Sequence, residues 1–395
     1  MTTLLIAALC CGIWVYLLAA RGGFWRAAQR DDAWLPGADD ELCWPTVVAV
    51  IPARDEAEVI AASVASLLRQ DYRGRFSLIV VDDHSGDGTA VAAARAAAAE
   101  NAADRVTVLA APSLPEGWSG KLWAMQHGAR HAQSGSDPPD YLLLTDADIN
   151  YSPSTLTGLV AHSLRNHLVL TSLMARLRCQ TLAERALIPA FIFFFQMLYP
   201  FAWVNRPDRR TAAAAGGCML VQREALRAAG GVEAIRGELI DDCALARLLK
   251  THGPIWLGLT ERVTSIRANV SLAAIRAMVV RSAYAQLRFS PWLLAGTAAA
   301  MTLTYLAPPA LSLLAHGVPQ WLGALAWVLM ALSFQPTLRL YGRAPWWGLA
   351  LPAIATVYVW FTLDSAYQYL RGRGGAWKGR IHRQGKARTA VGPVR

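Results

Sequence analysis

Three short apolar runs of this chain each end on carboxylates, and that repetition narrows the folds open to it. Residues 46–51 lead to Asp55 and Glu56, residues 76–81 to Asp82 and Asp83, and residues 141–145 to Asp146 and Asp148. Helical patterns lie between them over residues 56–69, 88–101 and 121–132, with a further strand-like run at 106–110. Asp87 is placed to cap the second of these helices. Strands alternating with helices predict an α/β domain on a mostly parallel, doubly wound sheet with helices on both faces. Such strands deliver their carboxyl ends to one rim, where ligands bind. Carboxylates gathered there repel one another unless a cation sits among them. The rim therefore suits a divalent metal and a phosphate-bearing ligand.

The rest of the chain is too apolar for a soluble domain. Of 395 residues, 54% are hydrophobic and 17% charged, and the apolar excess is localised. Residues 2–20 are nearly unbroken apolar sequence ending at Arg21, with no basic leader and no cleavage site, which predicts an N-terminal transmembrane anchor over 1–22. Residues 31–44 form a polar linker, and a domain over 45–290 follows. Within it, residues 187–204 are apolar and aromatic but broken by Pro189 and Pro200. They are expected to form an interfacial or re-entrant segment, with a buried core helix as the alternative. Plausible further elements are a strand at 218–222 and a helix at 241–251.

Apolar segments at 292–315, 321–334 and 346–369 make up a C-terminal transmembrane region over 291–370, and a basic tail over 371–395 closes the chain. With the central domain cytoplasmic, three full crossings would leave that tail outside, against the positive-inside tendency. One of the three is then a candidate re-entrant segment. The net charge of +10 gathers around Arg21, Arg26 and Arg30 and in the tail, which suits an anionic cytoplasmic leaflet. Nucleic acid is a poor fit, because the basic residues do not interleave with aromatics. The six cysteines have no paired spacing, so neither a disulfide framework nor a zinc site is expected, and a reducing compartment fits.

The motifs narrow the chemistry. The first turn, Pro52-Ala53-Arg54-Asp55-Glu56, lacks the glycines of a dinucleotide fingerprint, and no P-loop lysine motif occurs. The turn Asp82-Asp83-His84-Ser85-Gly86-Asp87-Gly88-Thr89 offers carboxylates to a nucleobase or ribose, or serves only as a capping turn. Asp146-Ala147-Asp148 puts two oxygen ligands on one loop, as a hard divalent cation requires. Lys121 opens a helix, where lysine and free amides would suit a diphosphate, or is a solvated helix start. Gly216-Gly217 permits close backbone approach to a sugar, or is a plain turn. Asp241 and Asp242 begin a helix, as dipole partners or as a general base.

Taken in order, Pro52-x-x-Asp55-Glu56, Val81-Asp82-Asp83-x-Ser85-x-Asp87-Gly88-Thr89, Asp146-x-Asp148 and Asp241-Asp242 resemble the family 2 inverting glycosyltransferases with the GT-A fold, over about 45–290. Within that family the chain is similar to the hopene-associated glycosyltransferases at Gly117-Trp118-x-Gly120-Lys121, Gly216-Gly217-Cys218-Met219-Leu220, Gln286-Leu287-Arg288 and Trp377-Lys378-Gly379-Arg380. The resemblance implies a Rossmann-like GT-A domain with N-terminal and C-terminal transmembrane helices, multi-pass in the inner (plasma) membrane with the catalytic domain cytoplasmic. It implies a nucleotide-sugar donor, UDP-linked, held by Pro52, Asp55, Glu56, Asp82, Asp83, Lys121, Asp146 and Arg281. Mg²⁺ or Mn²⁺ would sit on Asp146 and Asp148. Asp242 would be the catalytic base, with Asp241, Gly216 and Gly217 near the sugar and a lipid acceptor, in hopanoid metabolism. Membrane members often carry Gln-x-x-Arg-Trp after the base. Here Met278-Val279-Val280-Arg281-Ser282 keeps only the arginine, which weighs against the alternative of a processive polysaccharide synthase. A second alternative is an inactive nucleotide-binding scaffold, against which the intact acidic clusters argue.

Overall fold

The protein was analysed as a computed structural model that describes residues 1–32, 34, 43–268, 271–372, 376–377 and 380–381. Most of the expected linker, Lys378 and Gly379 of the C-terminal motif and the tail beyond 381 lie outside the described residues. The sheet has eight strands: β1 (Val47–Ala53), β2 (Phe76–Asp82), β3 (Val106–Ala110), β4 (Tyr141–Leu144), β5 (Ile149–Tyr151), β6 (Leu170–Arg176), β7 (Met219–Gln222) and β8 (Ile255–Ser265). Their order is β3-β2-β1-β4-β7-β6-β8-β5. β1 runs parallel to β2 and β4, and β2 parallel to β3, as the strand–helix repeat requires.

Beyond β4 the expectation of a mostly parallel, doubly wound sheet needs correction. β7 is antiparallel to both β4 and β6, and β5 is antiparallel to β8, while β6 and β8 pair in parallel. The physical reason lies in connection length. Only residues 145–148 separate β4 from β5, whereas a parallel crossover needs about a dozen. β5 therefore goes to the far edge of the sheet. The short β4–β5 link is the acidic turn itself.

Helices do cover both faces. Val47, Ala49, Ile51 and Ala53 of β1 feed one apolar core, and Val48 and Val50 feed the other. The first helix starts later than its pattern, at Ile60–Leu68, because residues 55–59 are drawn into a turn against the second loop. The second, Thr89–Ala99, is capped by Gly88 (φ +88°), while Asp87 accepts from Thr89 N at 3.0 Å one position earlier than expected.

The awkward segment forms the helix Leu182–Leu198, opened by a capping box in which Glu184 N donates to Thr181 Oγ1 and Thr181 N to Glu184 Oε2. It starts six residues past the end of β6. Just past its short continuation Phe201–Val204, Asn205 pairs with the backbone of Leu257 in β8, at 3.1 and 2.7 Å. The segment thus starts within six residues of one strand of the sheet and ends on another. Its C-terminal carbonyls, Met197 O and Leu198 O, accept from the guanidinium of Arg21 at 3.1 and 3.3 Å.

Among the described residues four helices are long and apolar enough to cross a membrane: Thr2–Ala20, Leu182–Val204, Pro291–Leu314 and Val318–Leu340. The last expected segment forms Leu351–Leu370, which is not among them. Pro291–Leu314 contains a π-helical stretch, Thr302–Leu306, just before Pro308 and Pro309. Those prolines offer no N–H to the carbonyls of the preceding turn. The N-terminal helix supplies the missing donors: Trp14 Nε1 to Thr304 O at 2.8 Å and Cys10 Sγ to Leu303 O at 3.3 Å. Trp14 is fully buried and meets Tyr305 edge-on at 5.6 Å. In hydrocarbon an unmet carbonyl has no water to turn to. Trp14→Phe, which keeps the ring and removes the N–H, should destabilise the protein by about 1–3 kcal/mol, read as a lower thermal midpoint in detergent. An unchanged midpoint would mean that Thr304 is satisfied some other way.

Candidate active site

The rim begins where β1 and β2 end. Asp55 adopts φ +50°, and the two loops are knitted by side chains. Asp55 N donates to Ser85 Oγ at 2.9 Å, Gly86 N to Asp55 Oδ1 at 2.9 Å, Glu56 N to Thr89 Oγ1 at 2.8 Å and Ala57 N to Asp87 Oδ2 at 2.9 Å. Asp55 is thus a strut between loops. Asp82 Oδ2 accepts from Ser85 N at 3.3 Å within its own turn. Asp83 is fully buried, with Arg54 Nη1 3.6 Å from its carboxylate and donating to its carbonyl at 2.5 Å.

Two further cations hold the remaining acids. Lys121, at the start of the helix Gly120–Gln133, lies 2.9 Å from Asp146 Oδ1 and 3.0 Å from Asp241 Oδ2. A cation at a helix N-terminus opposes the dipole, so the lysine depends on these carboxylates. Burial alone would favour its neutral amine, but Asp146 and Asp241 outweigh burial and hold the ammonium above its ordinary range. Burial raises Asp146, only partly offset by Lys121, whereas at Asp241 burial is outweighed by Lys121, Arg281 and a backbone hydrogen bond together, which lower it. Arg267, two residues beyond β8, lies 2.6 Å from Glu56 Oε1 and 2.9 Å from Asp148 Oδ2. Ser265 Oγ donates to the same Asp148 oxygen at 3.1 Å.

Asp242 is held differently. Its Oδ2 accepts from Gly216 N at 3.0 Å and its Oδ1 from Cys243 N at 2.6 Å. Burial first, and then the neighbouring Asp241 carboxylate, push it up to about 6. A Cβ at Gly216 would sit 3.3 Å from Lys121 Nζ and 3.6 Å from Asp242 Oδ2, so the loop passes close to both side chains. Gly217 O accepts from Thr145 Oγ1 at 2.8 Å and Tyr151 OH at 3.1 Å, which ties the loop before β7 to the acidic turn.

Among the described residues no group of three or more His, Cys, Asp or Glu side chains is arranged to hold a metal. Asp146 and Asp148 each commit one oxygen to a cation, so the protein by itself offers no closed cage. Two carboxylates do match Mg²⁺-type sites, which are completed by substrate phosphates and water. The pair therefore fits a metal that arrives with its ligand.

Most of these residues share one cleft. A cavity of about 480 Å³ is lined by Pro52, Glu56, Lys121, Asp146, Asp148, Gly216, Gly217, Asp242 and Arg281, together with Arg267. Asp55, Asp82 and Asp83 stand behind it in the loops and do not line it. A second cavity of about 410 Å³, largely apolar, opens from Asp241, Asp242 and Arg281 between the helices Leu182–Leu198, Leu272–Val280, Pro291–Met301 and Leu351–Leu370. The two cavities have Phe191, Phe195, Asp242, Met278 and Arg281 in common. Sequence reasoning missed Arg267, Ser265 and Arg54. Residues 255–265 are a long, partly alternating run whose end would have pointed to the first two; a lone arginine carries no pattern.

Residues 48–230 match the family described as Glycosyl transferase family 2. That stretch is a family 2 glycosyltransferase domain. An N-acetylglucosaminyltransferase of Rhizobium leguminosarum bv. viciae is 33% identical over 123 residues, 31% of this chain and 26% of its own length. The match thus spans about a quarter of that curated relative. A mannosyltransferase from Pyrobaculum calidifontis, solved with GDP-Man and Mn²⁺, is 20% identical and covers 91% of this chain and 99% of its own, with a TM-score of 0.50. Glucosyl-3-phosphoglycerate synthase from Mycobacterium tuberculosis, solved with Mn²⁺, UDP-glucose and glycerol 3-phosphate, is also 20% identical, over 60% of this chain and 77% of its own, with a TM-score of 0.38. The first of these structures establishes a GT-A-like fold for the family 2 domain.

Lys121→Met should leave Asp146 and Asp241 without their shared cation. Removing one member of a buried ionic group commonly costs 3–5 kcal/mol. Asp146 keeps 35% of its side chain exposed, so solvent softens the loss to about 2–3 kcal/mol. Protonated acids need no partner. The gap to wild type should therefore be widest near neutral pH and narrow as pH falls through the carboxylate range. Urea unfolding of the two proteins across pH checks both statements.

Proposed function

We propose that this protein is a membrane-bound inverting glycosyltransferase that moves a sugar from a nucleotide-sugar donor to a lipid acceptor. The observation that carries this reading is the meeting of a polar cleft and an apolar cavity at a single carboxylate, Asp242. The donor would lie along the cleft, its nucleoside toward Pro52, Glu56 and the loops braced by Asp55, Asp82 and Asp83. Its diphosphate would lie between Asp146, Asp148 and Arg281. Mg²⁺ or Mn²⁺ held by Asp146 and Asp148 would neutralise charge on the leaving diphosphate. A solved protein of this fold carries Mn²⁺ and GDP-Man, which supports a donor of this class without naming the base; the UDP-linked donor of the family resemblance is one candidate.

The chain's own residues then have separable tasks. Arg281 balances charge that grows on the diphosphate as the bond to the sugar stretches. Asp242 takes the proton of the acceptor hydroxyl as it attacks the anomeric carbon from the face opposite the diphosphate, and the configuration inverts. The Gly216 and Cys243 amides fix the direction of that carboxylate. Lys121 holds Asp241 close by without contributing a proton. The family resemblance implies an acceptor in hopanoid metabolism, and the apolar cavity is compatible with a bulky lipid of that kind.

Contacts between the apolar helices and the domain support one membrane placement. Arg21 meets the domain at Met197 and Leu198, so Thr2–Ala20 runs toward it. Pro291–Leu314 leaves the domain and Val318–Leu340 returns, because Tyr341 lies against Arg176 of β6, 5.7 Å from ring to guanidinium. Leu351–Leu370 stays at the domain: Tyr358 OH donates to Leu187 O at 2.8 Å, and Tyr369 stacks on Phe289 at 4.4 Å. Leu182–Val204, which starts near one strand of the sheet and ends on another, lies along the membrane surface rather than through it. Three crossings then remain, which leaves catalytic domain and basic tail together on the cytoplasmic side of the inner membrane. On this reading the last segment is the one that does not cross, which supports a tail on the cytoplasmic side.

Asp242→Asn should lower transfer by about 100-fold or more while donor affinity by calorimetry changes little; normal turnover would remove Asp242 from the mechanism. In the wild type, kcat/KM should be flat at high pH. It should fall tenfold per unit of pH below about 6, where Asp242 gains its proton. Asp148→Ala should instead weaken donor binding in the presence of Mn²⁺ and leave the metal-free affinity nearly as it was; equal losses under both conditions would place Asp148 away from the metal.

A further inference from the structure

Among the described residues three cations line the polar cleft, and two of them, Lys121 and Arg267, are each held between two carboxylates. Arg281 is in no such bridge, so its aim depends on the backbone that carries it. That backbone is broken at the arginine. The helix Leu272–Val280 ends just before it, Ser282 leaves the helical region at φ −123°, and the short helix Ala283–Gln286 follows. In an unbroken helix the N–H of residue 284 would bond to the carbonyl of residue 280. Here the hydroxyl of Ser365 bridges the two: it accepts from Tyr284 N at 3.0 Å and donates to Val280 O at 2.5 Å. A side chain inserted into the ladder in this way kinks a helix. Both backbone groups keep a partner, so the break leaves neither of them unmet.

Ser365 is 3% exposed and sits in Leu351–Leu370, whose one charged residue is its neighbour Asp364. Asp364 grips the broken helix one turn before Val280. Its Oδ2 lies 2.6 Å from Arg276 Nη2, and its Oδ1 accepts from Gln368 Nε2 at 3.2 Å. Tyr369, four residues on, meets Tyr284 edge-on at 5.5 Å. One helix therefore holds the chain on both sides of Arg281.

We propose that Ser365, braced by Asp364, is a positioning residue whose hydroxyl keeps the helix broken at Arg281 and so aims that guanidinium at the diphosphate. The proposal rests on the glycosyl-transfer reading above. Without the hydroxyl, Val280 O and Tyr284 N pair directly, the break closes and Arg281 turns away from the cleft.

The test is calorimetry on the full chain in detergent, with Mn²⁺ and with UDP or GDP, whichever the wild type binds. Ser365→Ala and Arg281→Ala should each weaken that binding by about tenfold or more, the loss of one hydrogen bond to a charged group. In the Arg281→Ala background Ser365→Ala should cost nothing further, because the contact it aims is already gone. A merely structural serine would cost the same factor in both backgrounds, and that result overturns the proposal. Unchanged affinity in either single variant also overturns it and leaves the transfer reading standing. If Ser365→Ala shows no folded protein by its thermal midpoint, Asp364→Asn takes its place under the same two readings, since it slackens the same helix through Arg276. Binding of neither UDP nor GDP by the wild type sinks the glycosyl-transfer reading, and the proposal with it.

Discussion

Two cations, each shared by two acids from distant parts of the chain, hold the rim of this sheet together. Lys121 joins the turn after β4 to the helix that carries Asp242, and Arg267 joins the end of β1 to the same turn. Charges this close are coupled by several kcal/mol even at an effective dielectric near 20. Without the cations, Glu56, Asp146, Asp148 and Asp241 would be an anionic cluster with nothing to oppose its repulsion. With them the loops are set before any ligand arrives, and a metal-bound diphosphate enters a site already close to its working shape. That is preorganisation in the electrostatic sense, where fixed charges need not reorient as the reaction proceeds.

Asp242 stands apart from this network. Two backbone amides hold it, and burial together with the Asp241 carboxylate raises its basicity more than Lys121 and those amides lower it. It also stands where the polar cleft gives way to apolar wall. The division follows from the topology. The helix Leu182–Leu198 leaves the sheet after β6 and its chain returns to β7, which is β6's neighbour, so its aromatic face forms one wall of both cavities. The C-terminal helices complete the other walls, and the N-terminal helix secures them through Trp14 and the carbonyls that Pro308 and Pro309 leave unmet.

Much of the first half was legible in the sequence because it obeys a simple repeat. An apolar strand, a turn bearing acids and a helix place β1, β2 and β4 and bring Pro52, Glu56, Lys121, Asp146 and Asp148 into one cleft. The second half was not legible for a physical reason. β6 is an inner strand buried through most of its length, where short apolar runs look alike in helix and strand, and the longer β8 alternates only in part. Their antiparallel neighbours β5 and β7 are three and four residues long, too short to show a period. Arg267 follows an unread strand and so went unseen, although it pairs with two of the expected site residues. Asp55 carries the family pattern yet serves as a brace between loops, because a motif records which residues are present and not the direction in which they point.

The most direct measurement is a cryo-electron microscopy map of the protein in lipid nanodiscs with Mn²⁺ and a non-transferable analogue of the nucleotide-sugar that binds best. The diphosphate should lie between Asp146, Asp148 and Arg281. The sugar's anomeric carbon should face Asp242 across the junction of the two cavities, with lipid density in the apolar one. Diphosphate density elsewhere on the sheet, or a sugar turned away from Asp242, would contradict the account.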